Sequence, residues 1–108
     1  MATHMHESDI LKSKPDVGVK FIGDANGCAR GFCMGISVCR SEEYNPPGIH
    51  EDQEGFYVIQ GEGFAKVGDE EFAVKPGTFF VALKGVAHSV KAARGKGPVK
   101  LLWAHGAV

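Results

Sequence analysis

His50 and Glu54 stand four residues apart in a stretch that leads into an apolar segment, and a later apolar segment carries His88. Side chains of an extended chain alternate faces with period two, so His50 and Glu54 project to one side. Imidazole and carboxylate on one face suit a divalent metal, or a general acid–base pair. If the strand of His88 neighbours the one entered at Glu54, two imidazoles and one carboxylate converge inside the fold. Plainer readings stand beside this. His50-Glu51-Asp52-Gln53-Glu54 alone is more often a solvated loop, and His88 alone is more often a buried histidine bonded to backbone.

The elements that must position these residues are short. Val17 to Ile22 reads as a strand and Gly23 to Gly27 as the loop after it. Gly31 to Arg40 is a longer strand with Phe32, Met34, Ile36 and Val38 on one face and Cys33 and Cys39 on the other. Ser41 to Gly48 is a loop ending in the stiff Pro46-Pro47-Gly48. Phe56 to Gln60 is apolar throughout, as in a strand covered on both faces. Gly61-Glu62-Gly63 turns it into Phe64 to Val67 as a hairpin, and Gly68-Asp69-Glu70 turns again into Glu71 to Val74. Thr78 to Ala82, Val86 to Val90 and Val99 to Ala104 complete the series. Ser8-Asp9 offers a helix cap before Ile10-Leu11, an option that Pro15 closes. Short strands between frequent turns predict an all-β antiparallel sandwich or closed barrel with little helix.

Composition supports that class. The chain has 108 residues, of which 44% are hydrophobic and 23% charged, enough apolar material to pack one core. Between Gly18 and Gly106 no stretch free of Gly and Pro exceeds the ten residues from Ile36 to Asn45, which leaves a helical bundle nowhere to form. The expected organisation is an N-terminal segment, residues 1–14, followed by one domain over residues 15–108. Met1 to His6 has the look of residues added for expression, so His4 and His6 carry little weight. A formal charge of −1 without a basic cluster speaks against nucleic acid and anionic membranes, and no apolar run approaches a membrane span. Cys28, Cys33 and Cys39 cannot all pair within the chain, and a reduced, cytoplasmic setting is the simplest expectation.

The run from Gly48 to Gly63 resembles the first signature of the cupin superfamily: a His-x-His pair, a short spacer, a Glu, six residues and a Gly. His50 stands where the second His would, Glu54 at the Glu and Gly61 at the Gly. Val74-Lys75-Pro76-Gly77 followed by Leu83-Lys84-Gly85-Val86-Ala87-His88 is similar to the second signature, with His88 at its last metal-binding His. The resemblance runs from Gly48 to about Val90 and implies a jelly-roll barrel, the double-stranded β-helix. Three positions depart from it. Gly48 replaces the first His, Leu83 a Pro, and Ala92 an Asn. The implied ligand set of three His and one Glu therefore shrinks to His50, Glu54 and His88. That remainder has the composition of a facial triad with open positions, or of a decayed site that holds metal weakly or not at all. A His restored at Gly48 is expected to strengthen binding if the geometry is otherwise the family's.

Other residues near the gap rank below the triad. Cys39 is a soft ligand that would need the correct strand face, and Glu43 and Tyr44 lie in the loop before the site. His105 is expected to be frayed and exposed near the chain's end. Phe56, Val58, Phe79, Phe80 and Trp103 read as barrel packing. The resemblance implies a metal-dependent enzyme acting on a small polar molecule, of dioxygenase, isomerase or lyase type, with Fe, Mn, Ni or Zn as cofactor. The alternatives are a non-catalytic module that binds or senses a small ligand, and a structural barrel with a vestigial site. The resemblance also suggests a homodimer paired through an outer sheet face.

Overall fold

The computed structural model describes residues 3–9 and 19–106. Among the described residues eight antiparallel strands carry the fold: β1 (Val19–Ile22), β2 (Cys33–Cys39), β3 (Gln53–Gln60), β4 (Gly63–Val67), β5 (Glu70–Val74), β6 (Phe79–Ala82), β7 (His88–Ala92) and β8 (Val99–Gly106). They form a five-stranded sheet in the order β1-β2-β8-β3-β6 and a three-stranded sheet in the order β5-β4-β7. The expected all-β, antiparallel jelly-roll class is what the chain adopts. Helix among the described residues is confined to 3-10 turns at Glu7–Asp9 and Asp24–Asn26. The helix start expected before Ile10-Leu11, and the Val17-Gly18 end of the first strand, lie outside the described residues.

Alternation with period two builds the core. Val58, Val99 and Leu101 face inward from the larger sheet, and Ala65, Val74 and Ala92 face them from the smaller one. Phe56, Phe72, Phe80, Val90 and Cys39 pack around this cluster. The Cys39 sulfur lies 3.3 Å from the Val90 carbonyl oxygen, so it belongs to the packing and not to the site.

Three local expectations need correction. Gly61-Glu62-Gly63 does not close a hairpin: β3 pairs with β6 and β8, whereas β4 pairs with β5 and β7, so this turn carries the chain from one sheet to the other. Gly61 has φ 91°, and a Cβ there would lie 2.1 Å from the Pro98 carbonyl oxygen, which is why the crossing needs glycine. The apolar run at β3 is not covered on both faces. Glu54, Phe56 and Val58 point inward, while Ile59 and Gln60 are exposed and Tyr57 is half-buried. Phe79 is likewise not barrel packing, being 78% exposed on the outer face.

Candidate metal centre

Glu54 is the second residue of β3, and His88 opens β7 in the opposite sheet. The two strands are therefore not neighbours; their side chains meet across the barrel interior. His50 lies in the loop before β3. Backbone bonds tie that loop to the segment around β7: Gly48 N–H donates to the His88 carbonyl (2.9 Å), His88 N–H to the Gly48 carbonyl (3.0 Å), and Gly85 N–H to the His50 carbonyl (2.9 Å). Pro46 and Pro47 stiffen the approach to this pairing.

The outcome is a compact group. One ligand atom from each of His50, Glu54 and His88 lies within 4.8 Å of the other two. Glu54 Oε1 sits 3.2 Å from His50 Nε2 and 3.1 Å from His88 Nε2. Despite these short separations, no donor is aligned with Oε1 as a hydrogen bond requires, and the oxygen is buried. A buried acceptor left in this state costs about 1–3 kcal/mol. A divalent ion between the three donors would satisfy it, and two imidazoles with a carboxylate form a donor set such ions accept. The residues present fit a metal.

Gly48 bounds the group on one side. A Cβ built there would stand 3.2 Å from His88 Nε2 and 3.6 Å from His50 Nε2. A histidine at this position enters only if the His88 ring gives way by a few tenths of an ångström.

Contact with the Glu54 carboxylate holds the His88 pKa above the usual imidazole range, outweighing burial, which pulls it down; the Val86 carbonyl, 3.4 Å from Nδ1, acts with Glu54. Protonated His88 therefore stabilises the metal-free fold fully below the unfolded value of about 6.5, and that contribution is lost as pH rises through the higher folded value. Metal ligation requires the neutral ring, so the proton competes from a higher pH than it would at a free imidazole. The rise in Tm produced by a divalent ion is expected to be larger at about pH 8 than at about pH 6. Thermal melts with and without zinc at both values check this, and an equal rise at both would contradict it.

The remaining candidates fall elsewhere. Tyr44 donates its hydroxyl to Glu71 Oε2 at 2.6 Å, and burial together with this bond raises its pKa. Glu43 stays exposed in the same loop. His105 is not frayed. It sits in β8 between β2 and β3, in register with Cys33 on one side and Glu54 on the other. Its Nδ1 is 2.8 Å from Asp52 Oδ2, its Nε2 is 3.1 Å from Cys33 Sγ, and its ring stacks on His50 with centroids 5.1 Å apart. Asp52, expected in a solvated loop, is 8% exposed. Leu101, Trp103 and His105 share one parity along the last apolar run, an alternation that points His105 inward and that the expectation of a frayed end overlooked.

Residues 40–105 match the family model described as a cupin domain. The chain belongs to the cupin family. No curated protein matches its sequence. Among solved structures, ectoine synthase from P. lautus superposes with a TM-score of 0.79 at 17% identity, over 97% of this chain and 78% of that one. The polyketide cyclase RemF from Streptomyces resistomycificus gives 0.75 at 22%, over 97% and 80%. The Schizosaccharomyces pombe Cnp3 cupin domain gives 0.70 at 20%, over 82% of this chain and 59% of that chain. At such identities the likeness is one of fold. The cupin barrel explains why Gly48, His50, Glu54 and His88 meet: the loop before β3, β3 itself and β7 open onto the same interior.

Proposed function

We propose that this cupin holds a divalent ion, Fe, Mn, Ni or Zn, between His50, Glu54 and His88, and that it is a metal-dependent enzyme acting on a small polar molecule by dioxygenase-, isomerase- or lyase-type chemistry. The observation that carries this reading is the buried Glu54 Oε1, faced by two imidazole nitrogens at 3.1–3.2 Å with no aligned donor. A bound divalent ion supplies polarisation of a substrate oxygen. Glu54 brings the negative charge, and His50 and His88 contribute neutral nitrogens. Phe56 lies with its ring centroid 5.5 Å from that of His88 and 4.6 Å from that of Phe80, an apolar wall that keeps water from that side. Two of the structural neighbours bear enzyme names, which supports catalysis as a use of this barrel without choosing the reaction.

Elemental analysis of protein purified without an affinity metal column is expected to return about one equivalent of one of the four metals per chain. Protein that neither carries nor takes up any of them at neutral pH would end the enzyme reading. The alternative, a non-catalytic module that binds a small ligand at a degenerate site, rests on Gly48, which withholds the fourth ligand. Turnover with the metal bound separates the two.

We further infer a homodimer. Tyr57, Phe79, Val81, Leu102 and Ala104 line a groove of about 560 Å³ on the outer face of the larger sheet. Phe79 is 78% and Val81 50% exposed, an apolar surface of the kind that marks an interface. Phe79→Glu is expected to convert the dimer to a monomer in light scattering, and a wild-type monomer would refute the pairing. An odd number of cysteines, Cys28, Cys33 and Cys39, which cannot all pair within the chain, fits the reducing, cytoplasmic setting that we also infer.

A further inference from the structure

His50 is the member of the metal group that the fold leaves least fixed. Glu54 stands in β3 and His88 opens β7, but His50 comes from the loop before β3. Its side chain is 40% exposed, against 12% for His88. Glu54 Oε1 faces its Nε2 at 3.2 Å without the alignment of a hydrogen bond. A side chain that is free to turn gives up rotamers when it takes an ion, and that entropy is lost from affinity. Gly48 offers no fourth ligand to make up the loss.

The ring beside it is fixed on every side. His105 sits within the larger sheet, in register with Cys33 of β2 and Glu54 of β3. Its Nδ1 lies 2.8 Å from Asp52 Oδ2 and its Nε2 3.1 Å from Cys33 Sγ. Trp103, two residues earlier on the same face of β8, stacks on it with centroids 5.3 Å apart. Gly35 in β2 leaves the room that Trp103 fills, since a Cβ there would stand 2.6 Å from Trp103 Cζ2. The His50 ring lies against His105 almost parallel, with centroids 5.1 Å apart and planes 16° apart. Asp52 follows His50 by two residues, so its contact with His105 ties the same segment to β8.

We propose that His105 is a positioning residue, whose fixed ring presets the His50 imidazole in the orientation that a divalent ion needs. The inference rests on the reading of His50, Glu54 and His88 as the metal centre. Both His105 nitrogens are engaged, so it is not itself a ligand, and the role needs no proton to move. Stacking holds the two rings face to face and leaves the edge of His50 pointing at its fellow ligands, Glu54 and His88. A ligand preset in this way loses little freedom on binding, which is how a supporting side chain strengthens a metal site.

The test compares His105→Leu with His105→Phe by calorimetric titration with zinc and by thermal melts. Both variants deprive Asp52 and Cys33 of their partner, so a merely structural role would cost the two alike. Only phenylalanine keeps a flat ring for His50 to lie on. His105→Leu is expected to bind zinc about 10–100-fold more weakly than wild type. His105→Phe is expected to recover about tenfold of that loss, although its Tm falls as well. Equal affinity in the two variants, or wild-type affinity in His105→Leu, overturns the proposal. Should either fail to fold, His105→Gln, whose amide can still donate to Asp52, is expected to bind zinc about tenfold more weakly than wild type, and unchanged affinity overturns the proposal. Wild type that takes up no zinc ends the metal reading by itself, and proton NMR of the metal-free proteins then decides on His105. Cross-relaxation between the His50 and His88 rings is expected in wild type and His105→Phe and lost in His105→Leu, and its survival there overturns the positioning role.

Discussion

His88→Ala is expected to abolish divalent-ion binding, weakening it by about a hundredfold or more, while the barrel stays folded. The expectation follows from where His88 sits. Its Nε2 is one of three ligand atoms in the group, with His50 Nε2 and Glu54 Oε1, and Gly48 has no side chain that could replace it. Changes at groups that merely orient metal ligands already weaken metal affinity 10- to 100-fold, so removing a ligand from a set of three should do at least as much. The fold survives because the two bonds between His88 and Gly48 are made by backbone, which alanine retains. Calorimetric titration with zinc or manganese reads the affinity, and far-ultraviolet circular dichroism reads the fold. Undiminished binding would place the ion elsewhere.

Gly63→Ala is expected to be strongly destabilising. Gly63 opens β4, the central strand of the smaller sheet, and pairs with Val74 on one side and Ala92 on the other. A Cβ there would lie 2.1 Å from the Lys91 carbonyl oxygen and 2.9 Å from a Val99 methyl. The first contact is with backbone of β7, the neighbouring strand of the same sheet, so the β4–β7 pairing would have to part, and the second presses on β8 in the other sheet. Overpacking of this kind costs about 3 kcal/mol, or about 12–24 °C in Tm for a domain this size. Gly77→Ala is the control. With φ 95° and nothing within 4 Å, it meets only the left-handed backbone penalty of about 1–2 kcal/mol. Equal losses for the two in thermal melts would contradict the argument from space.

Strand positions were legible because alternation and turn residues are local properties. β5, β6 and β8 each overlap the apolar runs that predicted them. Sheet membership was not, since Gly61-Glu62-Gly63 reads the same whether it closes a hairpin or crosses between layers. The difference lies in what Gly61 must avoid at Pro98, residues distant in sequence. His50, Glu54 and His88 emerged through spacing and the cupin signature, and the structure brings them together. Asp52 and His105 escaped for a related reason. A charged residue in a charged run and a histidine near the chain's end each look solvated until β8 is known to lie between β2 and β3.

The outer face around Phe79 has a consequence for how the chain survives its own synthesis. Among the described residues β6 is an edge strand, and Thr78-Phe79-Phe80-Val81-Ala82-Leu83 carries no charge, no Pro and no Gly. Such a segment at a sheet edge is a template for strand addition by another chain. Lys75 and Lys84 bracket it, one on each side, as charged gatekeepers. They discourage stacking of the run in a misfolded assembly while leaving the apolar face free in the folded one. Removing either charge is expected to favour aggregation while sparing the barrel core, since both lysines are exposed and lie outside it.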